Sequence, residues 1–178
     1  KCPFGAITDK SYVLDIIDML KKSENNTKYK VYAVIAPAIV SQCRFGRPTQ
    51  VVTAIQKLGF HQVVEAALGA DITLYHEALE WKEKGLMTTS CCPSYVAFIE
   101  KNFPELVQHI SHSVSPMILT AQMIKHSDPT AKCIFIGPCA SKKFEFKLPK
   151  TGGALDCVMS FEELQAFLDA RGIDTVEC

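Results

Sequence analysis

Lys132-Cys133-Ile134-Phe135-Ile136 runs directly into Gly137-Pro138-Cys139-Ala140-Ser141-Lys142-Lys143-Phe144-Glu145. A short apolar run stopped by Gly-Pro reads as a buried strand, and the polar stretch beyond Cys139 as a short turn. A second island, Thr89-Ser90-Cys91-Cys92-Pro93, has the same layout: the run Leu86 to Thr89 reads as a strand, and Pro93 suits the first turn of a helix over Ser94 to Asn102. Outward from these, Tyr29 to Ala36 is a β-branched run ending at Pro37, and Gln62 to Ala66 and Asp156 to Met159 are further short strands. Helical periodicity fills the intervals. It covers Ser11 to Lys22 with Ser11 as cap, Thr49 to Leu58 stopped by Gly59, Gly69 to Lys84, Ser115 to His126, and Glu162 to Ala170 behind a capping-box-like Ser160-Phe161-Glu162-Glu163. In Gly69 to Lys84, Ile72, Tyr75 and Leu79 share one face, with Leu74, Ala78 and Trp81 beside it. Strands alternating with helices predict an α/β fold, a three-layer parallel sheet with flanking helices and right-handed crossovers. Such sheets gather ligands at the carboxyl ends of their strands, where both cysteine islands are expected.

With 178 residues, 48% hydrophobic, the chain is long enough for one well-cored domain. Its formal net charge is zero and no basic stripe is interleaved with aromatics, which argues against nucleic acid as partner. The longest apolar run, Val31 to Val40, is broken by Pro37 and too short for membrane insertion. No secretory signal opens the chain, so a soluble, cytoplasmic protein is the expectation.

Eight cysteines lie at 2, 43, 91, 92, 133, 139, 157 and 178, without the dense spacing of a secreted disulfide scaffold. Cys133 and Cys157 sit inside apolar runs and read as core residues, and Cys43 carries no assigned role. Cys2-Pro3 has the ending of a bacterial ferredoxin run. Cys91 and Cys92 leave two readings open: a buried structural pair, or a ligand beside a thiol facing elsewhere, since neighbours in extended backbone point oppositely. Cys139 is followed by Lys142 and Lys143, whose charge suits a thiolate and anionic ligands. Two such thiols, away from any His ligand spacing, point to iron–sulfur chemistry before zinc. Glu77 and Glu80, three apart on one helix, are either a solvated face or a pair able to hand on protons.

Together these residues resemble the [FeFe] hydrogenase catalytic domain. Thr89-Ser90-Cys91-Cys92-Pro93 and Pro138-Cys139-Ala140-Ser141-Lys142-Lys143-Phe144-Glu145 resemble its first two signature motifs. Ala36-Pro37-Ala38 resembles the loop lining its diiron pocket, and Leu68-Gly69-Ala70-Asp71 with Glu77-Ala78-Leu79-Glu80 the helix before the first motif. Ser115-Pro116 matches the turn after that motif, and Cys2-Pro3 the end of a preceding ferredoxin-like insert.

The resemblance implies reversible reduction of protons to H2 in an anaerobic setting, with electrons from a ferredoxin-like carrier or domain. It implies Cys92 and Cys139 as ligands of a cubane [4Fe-4S] cluster, and Cys2 as a ligand of an accessory cluster. Ala36, Pro37, Pro138 and Lys142 would line a diiron subsite carrying CO and CN, with Lys142 bonding a cyanide. Cys91, Glu77, Glu80 and Ser111 would carry protons. Residues 1–8 would end a ferredoxin-like segment and 9–178 form the first portion of the catalytic domain, because the third signature motif, with the other two cubane cysteines, is not found before Cys178. Gly137 stands where members usually carry Met, Met117 where they carry Gln, and Ser94-Tyr95 where they carry Gly-Trp, which suggests a divergent branch. A hydrogen- or redox-sensing domain and a non-catalytic iron–sulfur assembly protein of the same fold are the alternatives. The retained Cys91 and Lys142 favour the hydrogenase.

Overall fold

Strands β1 (Val31–Ile35), β2 (Gln62–Glu65), β3 (Lys132–Ile136) and β4 (Cys157–Met159) form one parallel sheet in the order β2-β1-β3-β4. The structure, a computed structural model, describes residues 9–42 and 47–178. The expectations placed on Cys2, on Cys43 and on residues 1–8 therefore lie outside the described residues. Ala33 and Val34, like Cys133, Ile134 and Ile136, are buried although successive side chains point to opposite faces. Both faces of the central pair are thus covered, which makes three layers.

The covering helices are α1 (Val13–Lys22), α3 (Pro48–Lys57), α4 (Ala67–Lys84), α6 (Pro116–Ser127) and α8 (Phe161–Ala170). Ile16, Ile55, Ile118 and Leu168 are large, fully buried anchors on α1, α3, α6 and α8. Each such side chain contributes about 1.5–3 kcal/mol when taken from water. Short α2 (Ile39–Gln42) and α7 (Lys142–Glu145), together with α5 (Pro93–Asn102), flank the loops that matter for function. The capping box of α8 is formed: Ser160 Oγ accepts from the Glu163 N–H at 3.2 Å, and Glu163 Oε2 accepts from the Ser160 N–H at 2.8 Å. Tyr12 holds the N-cap position of α1, and Ser11, one residue earlier, accepts from the Val13 N–H at 3.4 Å through its hydroxyl.

Two expectations fail. Leu86 to Thr89 is not a strand of the sheet: only Thr88 pairs, in an isolated parallel bridge with Ile110. Leu86 is 63% exposed, so this two-apolar-residue stretch after Gly85 buries too little surface to join a sheet. In α4, Leu74, Tyr75, Leu79 and Trp81 are exposed, and the buried stripe is Gly69, Thr73 and Glu77. The cause is close approach to α6. A Cβ at Gly69 would collide with the Pro116 carbonyl oxygen and the Thr120 hydroxyl, which themselves share a hydrogen bond of 2.9 Å. Gly69→Ala is expected to cost about 2 kcal/mol or more, in the range of overpacked cores, measured by urea unfolding; an unchanged midpoint would show that the two helices can part freely.

Candidate functional site

The strand order reverses between β1 and β3, since the chain leaves β1 toward β2 and returns on the other side as β3. The crevice beyond the carboxyl ends of such a pair is where open parallel sheets bind ligands. Ala36 leaves β1 there, its N–H bonded to the Ile136 carbonyl at 2.9 Å, and Gly137-Pro138-Cys139 leaves β3 there, Gly137 N–H bonding the Met159 carbonyl at 3.0 Å. A side chain at 137 would collide with the Phe135 ring and press on Ala36, so the glycine lets the two loops close together. Pro37 follows Ala36 at this end of β1 and is exposed.

Cys91 and Cys92 reach this crevice by another route. Cys92 is the N-cap of α5, with extended backbone (φ −105°, ψ 108°), and Pro93 starts the helix. The loop is then fastened to the Cys139 loop: Lys142 Nζ donates to the Cys91 carbonyl oxygen at 2.7 Å, and the Ser94 and Ser141 hydroxyls bond to one another. Tyr95 Oη meets Thr88 Oγ1 at 2.8 Å. Ser94 and Tyr95, which depart from the expected pattern, thus supply contacts of their own. Met117, the other departure, is buried in the core. Cys91 Sγ lies 3.5 Å from Thr89 Oγ1.

The lysine pair divides. Lys142 also forms an ion pair with the buried Glu145 at 2.6 Å. Lys143 turns inward, bonded to Asp9 at 2.6 Å and Glu163 at 2.8 Å. Burial pulls the Lys143 pKa down, but the two carboxylates outweigh it and the net direction is upward. The expectation that both ammonium groups serve the Cys139 thiolate is corrected: Lys143 is a structural tie between Asp9 and α8.

Of the residues expected to carry protons, Ser111 and Glu80 are joined: Ser111 Oγ donates to Glu80 Oε2 at 2.9 Å. Glu80 also receives Lys84 Nζ at 2.7 Å, His112 Nδ1 at 2.7 Å and the His112 N–H at 3.2 Å. Burial raises the Glu80 pKa, and these donors together more than reverse it, bringing the carboxyl from 4.5 to about 2. Glu77 is 8% exposed, and among the described residues its Oε1 has no hydrogen-bond partner. Neither glutamate is therefore on a solvated face, though Glu77 is not hydrogen-bonded to Glu80, Ser111 or Cys91. A cavity of about 360 Å³ runs between Ser111 and Glu145, with Ser90 and Ser115 on its wall. Lys84 and His112 were not among the sequence candidates. The i,i+4 spacing of Glu80 and Lys84 is a readable signal for the first.

A depressed carboxyl pKa stabilises the fold fully above the unfolded value and loses that contribution as the folded value is approached. For Glu80 the stabilisation is complete above pH 4.5 and disappears as pH falls toward about 2. Acid denaturation followed by circular dichroism should show a slope in that window that Glu80→Gln flattens; an identical slope would place the titrating carboxylate elsewhere.

Cys92 and Cys139 offer free thiols on facing loops. Among the described residues no group of three or more His, Cys, Asp or Glu side chains is gathered as a metal site. Chemically, Cys92 and Cys139 could supply two thiolates of a four-thiolate cluster.

A family model described as the iron only hydrogenase large subunit, C-terminal domain, matches residues 29–178. The periplasmic [Fe] hydrogenase large subunit of Nitratidesulfovibrio vulgaris is 30% identical over 183 residues, covering 87% of this chain and 44% of that protein. The cytosolic Fe-S cluster assembly factor NAR1 of Kluyveromyces lactis is 34% identical over 93 residues, 52% of this chain and 20% of that protein. A structure of apo [FeFe]-hydrogenase HydA1 from Chlamydomonas reinhardtii superposes with a TM-score of 0.82 at 26% identity, over 95% of this chain and 50% of that one. The chain spans half or less of the length of each of these relatives.

Proposed function

Because the chain belongs to the iron-only hydrogenase family, to the C-terminal domain of its large subunit, we propose that it is the first portion of a hydrogenase catalytic domain that interconverts protons and H2. In this reading electrons arrive from ferredoxin-type iron–sulfur clusters, residues 1–8 end such a segment with Cys2 as a ligand, and the protein works in the cytoplasm. The observation that carries it is the Lys142–Cys91 bond of 2.7 Å, which brings two cysteine loops to the crevice between β1 and β3.

Cys92 and Cys139 would hold the cubane [4Fe-4S] cluster, with further thiolates from the rest of the domain. Ala36, Pro37, Pro138 and Lys142 would border the diiron subsite. An ammonium has three donors; those of Lys142 meet the Cys91 carbonyl and Glu145, which leaves one for an anionic ligand such as cyanide. When bound, the diiron group supplies the two-electron chemistry. The chain's own work is to hold that group, exclude water, and pass protons through Cys91, Glu77, Ser111 and Glu80. A buried carboxylate oxygen without a partner, as at Glu77, is costly to maintain for stability alone.

The test is infrared spectroscopy of the full-length protein after maturation in an anaerobic host. CO and CN stretches are expected. A cubane without those bands would favour the second reading, an iron–sulfur assembly role, for which the similarity to NAR1 speaks.

A further inference from the structure

A half-buried carboxylate that hands on protons needs a group that meets bulk water. We propose that His112 is that group, exchanging protons between solvent and Glu80; this rests on the reading that Glu80 belongs to a proton path. His112 Nδ1 is 2.7 Å from Glu80 Oε1, and the imidazole is 83% exposed where the Glu80 side chain is 15% exposed. The His112 backbone N–H also holds the same carboxylate, at 3.2 Å to Oε2, so the ring is anchored at its root while its far edge is open. Imidazole is the side chain whose charge changes nearest neutrality, and its two nitrogens allow a proton to enter on one side and leave on the other.

The surroundings narrow the choice. From α4, Lys84 Nζ contacts both Glu80 Oε1, at 2.7 Å, and His112 Nδ1, at 3.2 Å. The Lys84 side chain is 25% exposed where the His112 ring is 83% exposed, so Lys84 supplies charge to the carboxylate while His112 meets the water. His76, also on α4, lines the same cavity of about 370 Å³ as Glu80 and His112, but it is not hydrogen-bonded to Glu80. On the inner side, Ser111 Oγ occupies Oε2 at 2.9 Å and continues the path away from solvent. In the inward direction a proton from water binds His112 Nε2, the Nδ1 proton passes to Glu80 Oε1, and the neutral ring keeps its Nε2 proton. The starting tautomer returns by exchange with solvent water, which takes the proton from Nε2 and delivers one to Nδ1. Outward transfer reverses each step, and no electron moves.

Two measurements test this. In this chain without any cluster, ¹⁵N NMR of the imidazole should find the neutral ring protonated at Nδ1, and Glu80→Gln should shift it toward the Nε2 tautomer. In the matured full-length protein, His112→Ala and His112→Gln should keep the CO and CN bands yet lower H2 turnover about tenfold or more. Added free imidazole should restore the alanine variant saturably. Glutamine can still donate to Glu80 but cannot relay, so parental turnover in His112→Gln would reduce His112 to a positioning residue and overturn the proposal. Parental turnover in His112→Ala, or a ring tautomer indifferent to Glu80→Gln, would overturn it while leaving the hydrogenase reading intact. A parent protein without CO and CN bands would overturn that reading and the proposal with it.

Discussion

Cys92→Ala or Cys139→Ala, introduced into the full-length protein, is expected to remove the cubane's share of the bound iron and sulfide after maturation, leaving that of the ferredoxin-type clusters. Each thiol is at a position where the fold has already fixed the backbone. Cys92 is held in extended conformation at the start of α5 by Pro93. Cys139 sits just past β3, on a loop tied to the first by Lys142 and by the hydroxyls of Ser94 and Ser141. Neither thiol is buried, so truncation should change folding stability by no more than about 0.5 kcal/mol. Loss of the cluster would then report lost ligation rather than unfolding. Iron and sulfide analysis together with visible absorption decides the matter, and parental contents in either variant would sink the ligand assignment.

The second large effect is expected at Cys91. Lys142 binds the backbone carbonyl of Cys91 and not its thiol, so Cys91→Ala leaves the joint between the loops in place. Cluster content and infrared bands should be unchanged. A thiol can release and take up a proton, and a methyl group cannot. H2 turnover should fall by about 10²-fold or more, the scale of a lost general acid–base group. Parental turnover would move the proton path away from Cys91 and release Glu77, Ser111 and Glu80 from the roles proposed for them.

The parallel sheet is legible in the sequence because its central strands announce themselves. The apolar run Lys132 to Ile136 coincides with β3 to the residue, and the Ser160–Glu163 capping box is written in four letters. Periodicity misleads in α4, because the helix packs through the absence of a side chain. Gly69 admits the α6 backbone, and the apolar residues that periodicity selects are left outside. Leu86 to Thr89 misleads because its composition is strand-like while its burial is slight. The cysteine loops are legible as motifs, but not the bond that joins them, since a lysine donating to a carbonyl 51 positions away leaves no local trace. His112 is invisible for the same reason: its partner is 32 positions earlier, on another element. Lys143 looks like a companion of Lys142, and only tertiary contacts with Asp9 and Glu163 show that the two adjacent lysines belong to different networks.

The reversal of strand order also sets a timetable for the growing chain. β1 is complete by Ile35, yet the neighbour that fills its far side begins only at Lys132. Contacts so distant along the chain are slow to form, because the entropy of closing the intervening loop is lost before the contacts compensate it. Synthesis proceeds from the amino terminus, so Cys91 and Cys92 are made well before Cys139 and before Lys142, the residue that clasps them. Until β3 docks against β1, no crevice exists and the two cysteine loops have nothing to align them. Folding of the sheet is therefore the clock for this site: its two cysteine loops are joined at a late event.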